Sequence, residues 1–175
     1  MQSPSPQLTA DMERIIATAQ DEAARRHGVY MDIEHLALAL LAQPDGPARD
    51  MLAQSGADSA AIYDAIASQI GIERSTRAEV KDLSREGKRA LSYALDVARS
   101  LGQSAVNSGH LLVALLESGE GVVRQAFAAS PLSAAAARDY LRDHPQAGAA
   151  PAPTARQQER TASPAEEAVE YVLVP

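Results

Sequence analysis

The chain has 175 residues, enough for one compact domain or one domain with a tail, and 46% of them are apolar while only 3% are aromatic. An interior drawn from Ala and Leu, with no Trp, favours close-packed helices over sheets, which rely on β-branched and aromatic residues. A formal charge of −7, with Arg25-Arg26 flanked by Asp21 and Glu22, excludes the basic patch that nucleic acid requires, and the absence of Cys excludes disulfides and thiolate chemistry.

Residues 1–7 are polar and punctuated by proline, with no apolar core behind a basic start. They read as a flexible N-terminus rather than a signal peptide, and the longest apolar run, residues 36–42, is too short to cross a bilayer; a cytoplasmic protein with no membrane partner is expected. Thr9 is placed to cap a first helix, its hydroxyl accepting from an unpaired amide of the first turn. Met12, Ile15, Ile16, Ala19 and Ala23 follow at helical spacing, and Gly28 suits the stop. Asp32 caps a second helix in which Ile33, Leu36, Leu38, Leu40 and Leu41 leave no polar face, which predicts a central, buried helix. Residues 44–47 break the chain. A short helix then passes through Met51 and Leu52 to Gly56, and Asp58 caps a fourth helix carrying Ile62, Ile66 and Ile70. Residues 71–82 are charged and weakly patterned, and read as a surface linker.

The scheme then repeats. Displaced by 75 positions, residues 8–42 lie on residues 83–117 without a gap, His35-Leu36 on His110-Leu111 and Ala39-Leu40-Leu41 on Ala114-Leu115-Leu116. The same offset continues through Gly46/Gly121, Ser55/Ser130 and Asp64/Asp139, the sign of an internal duplication. Ser84 caps a helix bearing Leu91, Ala94, Leu95 and Ala98, and Asn107 caps the buried segment 111–116. A short helix runs through Val123 and Phe127, and Pro131 and Ser133 start the last, through Tyr140 and Leu141. The expected fold is all-α: a duplicated four-helix repeat of eight helices, with repeat one at 8–70, repeat two at 83–143, and the two central helices near a pseudo-two-fold axis. Residues 144–175 read as a disordered tail rich in Ala, Pro, Gln and Arg. Near its end, Val-Glu-Tyr-Val-Leu-Val reads either as a frayed terminus or as a docking peptide, for a partner or for its own domain.

Leu8-Thr9, the Ala19-x-x-x-Ala23 spacing and Ile33-Glu34-His35-Leu36-x-Leu38-x-Leu40-Leu41 resemble the repeat of Clp N-terminal domains. So does the second copy, Leu83-Ser84 with His110-Leu111-Leu112-x-Ala114-Leu115-Leu116-Glu117 and Gly119-Glu120-Gly121-Val122. The resemblance covers about residues 8–143 and implies a non-catalytic protein-binding module of the kind that receives substrates or adaptors for Clp unfoldases. No G-x-x-x-x-G-K-[ST] phosphate loop is present, Gly87-Lys88 being followed by Arg89. The resemblance therefore implies a stand-alone accessory, adaptor or decoy factor. Its partners would be a Clp unfoldase, an adaptor or a substrate protein, its oligomeric state is open, and no cofactor is expected. A regulatory interaction protein unconnected with proteolysis is the alternative. In some members each repeat binds phosphoarginine through a helix-start Thr and the Glu of a Thr-Glu-His turn, a sensible pairing of helix amides with phosphate and of carboxylate with guanidinium. The residues so implied are Thr9 and Glu34, with Ser84 and Gly109 as second-repeat equivalents; Gly109 removes the guanidinium partner there. His27-Gly28 reverses the family's Gly-His pair, and Asp32-Ile33 lacks its Thr.

Plainer readings attach to the same residues. Thr9 and Ser84 serve as caps, and Glu34 suits the positive end of its helix without any ligand. His35 and His110, at equivalent places, are expected to make one internal hydrogen bond twice rather than to join His27 and His144 as metal ligands. Asp21-Glu22 and Glu166-Glu167 read as solvated charges. Ser108 and His110, two apart, point to different faces, and with no G-x-S-x-G elbow no enzyme activity is expected.

Overall fold

A computed structural model of the protein describes residues 7–26, 29–70, 80 and 82–145. The expected Gly28 stop, the His27-Gly28 pair, most of the linker, the start before Gln7 and the tail beyond residue 145 lie outside the described residues.

Among the described residues the fold is all-α. Repeat one folds as α1 (Ala10–Arg25), α2 (Ile33–Leu41), α3 (Pro47–Ser55) and α4 (Ser59–Gln69). Repeat two folds as α5 (Arg85–Ser100), α6 (Ser108–Ser118), α7 (Gly121–Ala128) and α8 (Ala134–Asp143). The boundaries follow local chemistry. Asp58 accepts from the Ala61 amide (3.0 Å), Ser84 from Gly87 (3.0 Å), Asn107 from His110 (3.2 Å) and Ser133 from Ala136 (3.1 Å), each satisfying a first-turn donor that has no partner inside its own helix. Gly56 closes α3 in the left-handed region, φ 73°, where a Cβ is unwelcome.

α2 and α6 form the centre. Ile33 and Leu36–Leu41 on one, and Leu111–Leu115 on the other, are buried around their whole circumference, and the two helices pack on each other. α1 lies along α2 and α5 along α6, with Ala19, Ala23, Ala94 and Ala98 at the contacts, where small side chains let helix axes approach closely. The remaining helices cross over. α2 is closed by α4 of its own repeat and by α7 of the other; α6 is closed by α8 of its own repeat and by α3 of the other. On α5 the buried stripe runs through Ala90, Ala94, Val97 and Ala98, while Leu91 and Leu95 are only partly buried at its edges. The stripe is turned from the one the leucines suggest because Ala90, not Leu91, occupies the position of buried Ile15.

Four strands of two residues each were not legible in the sequence: β1 (Gln7–Leu8), β2 (Tyr30–Met31), β3 (Asp82–Leu83) and β4 (Ala105–Val106). β1 pairs in parallel with β4 and β2 with β3, in register Gln7↔Ala105 and Tyr30↔Asp82. The offset of 75 carries β1 onto β3 and β2 onto β4, so the two pairs are mates and each joins one repeat to the other. Asp82, expected to close a linker, begins β3 instead.

Candidate functional site

The strand pairs create two equivalent junctions between repeats, and these hold the residues that the sequence singles out. At the first, the Thr9 amide donates to Val106 O (3.0 Å) and its hydroxyl to the same oxygen (2.9 Å), with Asp11 as a second acceptor. Thr9, a residue only 3% exposed, occupies the cap position of α1 but does not cap it through its side chain, contrary to expectation: the hydroxyl is spent on β4 and Asp11. Asp11 reaches across to accept from the Ser108 amide at the start of α6 (3.0 Å), and Ser108 Oγ accepts from the Ala48 amide (3.2 Å). Burial pushes the Asp11 carboxyl up, yet the hydrogen bonds from Thr9 and Ser108 outweigh it and leave the group below its usual range. The positive end of α6 is thus held by the protein's own carboxylate. A Cβ on Gly109 would stand 2.8 Å from both Leu141 Cδ2 and Met51 Cε, so a side chain here would require those two side-chain ends to shift.

At the second junction the Ser84 amide donates to Met31 O (3.0 Å) and the Ser84 hydroxyl caps α5. Glu34 lies here, half-buried; burial raises its pKa, and the neighbouring charges of Asp32 and Glu86 raise it further. Val29, just before β2, and Tyr30, its first residue, are 45% and 52% exposed and are the exposed large hydrophobics among the described residues.

The structure therefore does not bring Thr9 and Glu34 together. α1 and α2 run antiparallel: Arg14 pairs with Asp45 just past the end of α2 (2.6 Å), while Arg26, beyond the other end of α1, acts on His35. The 16 residues of α1, about 24 Å long, separate the two. Instead Thr9 shares a junction with Gly109, and Ser84 with Glu34.

The two histidines make one bond twice: the Asp32 amide donates to His35 Nδ1 and the Asn107 amide to His110 Nδ1, both at 3.0 Å. Burial lowers both, His110 to about 4. Glu22 is no solvated charge; at 8% exposure it pairs with Arg26 (3.2 Å) and Arg25 (3.0 Å), and Arg26 also donates to Ala67 O (3.3 Å). Sequence reasoning missed Asp11 and Glu86, although acids recur there at the same offset of 75. Among the described residues there is no group of three or more His, Asp or Glu set to hold a metal ion, and no helix is long and apolar enough to cross a membrane.

A duplicated helical unit locked by reciprocal strand pairs around two central helices defines a class of interaction domain, and comparison with known proteins places it. The profile of the Clp repeat (R) N-terminal domain matches residues 7–130 and again 82–168, and the chain belongs to that family. It is 29% identical over 131 residues to the ATP-dependent Clp protease ATP-binding subunit ClpC of Staphylococcus epidermidis, an alignment that takes in 75% of this chain but only 16% of that relative. The N-domain of ClpV from Vibrio cholerae superposes with a TM-score of 0.63 at 22% identity, covering 79% of this chain and 82% of that one. A complex of the ClpV N-domain with a VipB peptide matches at a TM-score of 0.60 and 22% identity, covering 79% and 84%. At that identity the likeness is one of fold. Domains of this family are protein-interaction modules.

Proposed function

We propose that the protein receives polypeptide segments on behalf of a Clp-type unfoldase, as an accessory or adaptor-like factor that binds and does not catalyse. The observation that carries this reading is the second junction. Exposed Val29 and Tyr30 lead into the start of α2, where Glu34 is half-buried and Asp32 and Glu86 add negative charge. Exposed apolar side chains on the segment that leads to a partly desolvated carboxylate suit a peptide that brings an arginine flanked by apolar residues, since guanidinium binds carboxylate in a two-pronged fit. The VipB peptide held by a related fold gives the reading a precedent. Localisation with the unfoldase in the cytoplasm follows from the same proposal.

Binding of an arginine-bearing peptide, followed by fluorescence anisotropy, should weaken at least tenfold in Glu34→Gln and in Tyr30→Ala. Unchanged affinity in both variants would remove this surface from the function. The unfoldase link is tested separately, by the rate at which a Clp protease degrades the bound peptide's parent protein with and without the chain.

A second reading has its own observation. Ser84 and the start of α5 lie across the junction from Glu34, so a phosphoarginine would find a helix N-terminus and a carboxylate from different repeats. In this reading Thr9, buried and committed to Val106, plays no part, and Gly109 leaves the first junction without a guanidinium partner at that position. Calorimetry with free phosphoarginine decides it: one saturable site lost in Glu34→Gln supports the reading, and no heat of binding removes it.

A further inference from the structure

A groove of about 340 Å³ lies between α4 of repeat one and α7 of repeat two. Ala61, Ile62, Ala65, Val122 and Ala126 give it apolar walls, and Gln125 is one of several polar residues, with Asp58, Ser68, Gln69 and Ser130, that also line it. The place related to it by the pseudo-two-fold, between α8 and α3, is filled from within. There Tyr140 on α8 reaches Asp50 of α3 (3.5 Å) and stacks on His144 with ring centroids 4.1 Å apart. The offset of 75 puts Ala65 at the position of Tyr140, Ala126 at that of Met51 and Gln125 at that of Asp50. The groove is thus the space left by an absent tyrosine, with a polar side chain retained where the tyrosine hydroxyl would end.

We propose that this groove is the docking site of the chain's own residues 169–174, with Tyr171 seated as Tyr140 is seated on the other side. The segment lies outside the described residues, and its sequence matches the vacancy: one tyrosine, flanked by Val169 and by Val172-Leu173-Val174. A tyrosine fits because its ring is driven from water by apolar walls while its hydroxyl needs a polar partner, the role of Gln125. Reach is no obstacle. About 26 residues separate Pro145 from Tyr171; extended, they span up to roughly 90 Å, several times the ~14 Å radius of gyration of a domain of this size. This assignment rests on the α4–α7 groove alone and is independent of the junction at Glu34.

The absence of cysteine makes the test clean. In the 175-residue chain at high dilution, Ser68→Cys on the rim is combined with Val172→Cys, which leaves Tyr171 intact. An intramolecular disulfide should form roughly tenfold faster than in the control pair Ser92→Cys/Val172→Cys on α5, through the higher local concentration of a docked segment. Adding Tyr171→Ala, or filling the groove with Ala65→Tyr at an exposed helix position, should return the rate to that of the control. Equal rates in the two cysteine pairs, or a fast rate indifferent to both added substitutions, would overturn the assignment. Disulfide-linked dimers in place of the intramolecular bond would overturn it as well, by giving the groove to the tail of a second copy.

Discussion

Repeat one and repeat two share backbone, strand exchange and the histidine-to-amide bond, yet they settle their polar groups by different means. Near the end of α1, Glu22 and Arg26 form a nearly buried ion pair where α5 carries Val97 and Leu101. Repeat two instead ties its helices at the surface, Arg138 gripping Glu117 through two bonds (2.7 and 2.6 Å) while Tyr93 donates to the same carboxylate (2.7 Å). Charge and hydrocarbon do the same structural job at equivalent positions provided each is complete: a paired ion or a filled apolar site is tolerated, whereas half of either is not. The departures from symmetry then fall where one copy is left open to solvent, at Glu34 and in the α4–α7 groove.

That equivalence can be broken or sharpened in order of expected effect. Leu40→Ala and Leu115→Ala each empty a buried site on a central helix, and each should cost roughly 2–5 kcal/mol by chemical denaturation. Costs near zero in one repeat alone would show that only one central helix carries the core. Glu22→Ala removes the nearly buried carboxylate that Arg26 pairs with and should cost about 3 kcal/mol; the double change Glu22→Val with Arg26→Leu, copying repeat two, should recover to within about 1 kcal/mol of the parent. If the double variant is no better than the single, the two solutions are not interchangeable.

The histidines supply a pH test. His110 is lowered to about 4, so between the unfolded value near 6.5 and pH 4 the unfolded chain binds a proton that the folded chain refuses. Stability is therefore full above pH 6.5 and falls as the pH drops through this window, by up to about 3 kcal/mol, with His35 shifted in the same direction. Melting temperatures from pH 7.5 to 4.5 should fall steeply for the parent and less steeply for His110→Asn. The smallest effects belong to single hydroxyls at helix starts. Ser84→Ala should cost about 1 kcal/mol by removing the bond to the Gly87 amide, and Thr9→Ser should cost less because the hydroxyl that serves Val106 is kept.

Much of this architecture is written in local patterns. The unbroken apolar run of α2, its copy in α6, and the short polar residues at Asp58, Ser84, Asn107 and Ser133 announce helices and their starts because cap chemistry acts within three residues. Glu22 was misread because an acid beside another acid resembles solvent-facing charge, and only the path of α4 past Arg26 shows otherwise. The strands, two residues long, carry no periodicity to detect. The pairing of Ser84 with Glu34 was hidden for a different reason. Self-comparison reveals which residues are equivalent, but a two-fold axis sets equivalent residues apart and brings unlike ones together.

The strand exchange also bears on ancestry. A chain holding one repeat alone would present a β1-type edge and a β2-type edge with nothing of its own to pair them. Two such chains would satisfy each other completely, because the axis that now relates two halves of one molecule serves equally as the axis of a homodimer. The covalent join replaces an encounter between subunits with a permanent neighbour. It also frees each half to change without imposing that change on the other, the one liberty a symmetric dimer lacks.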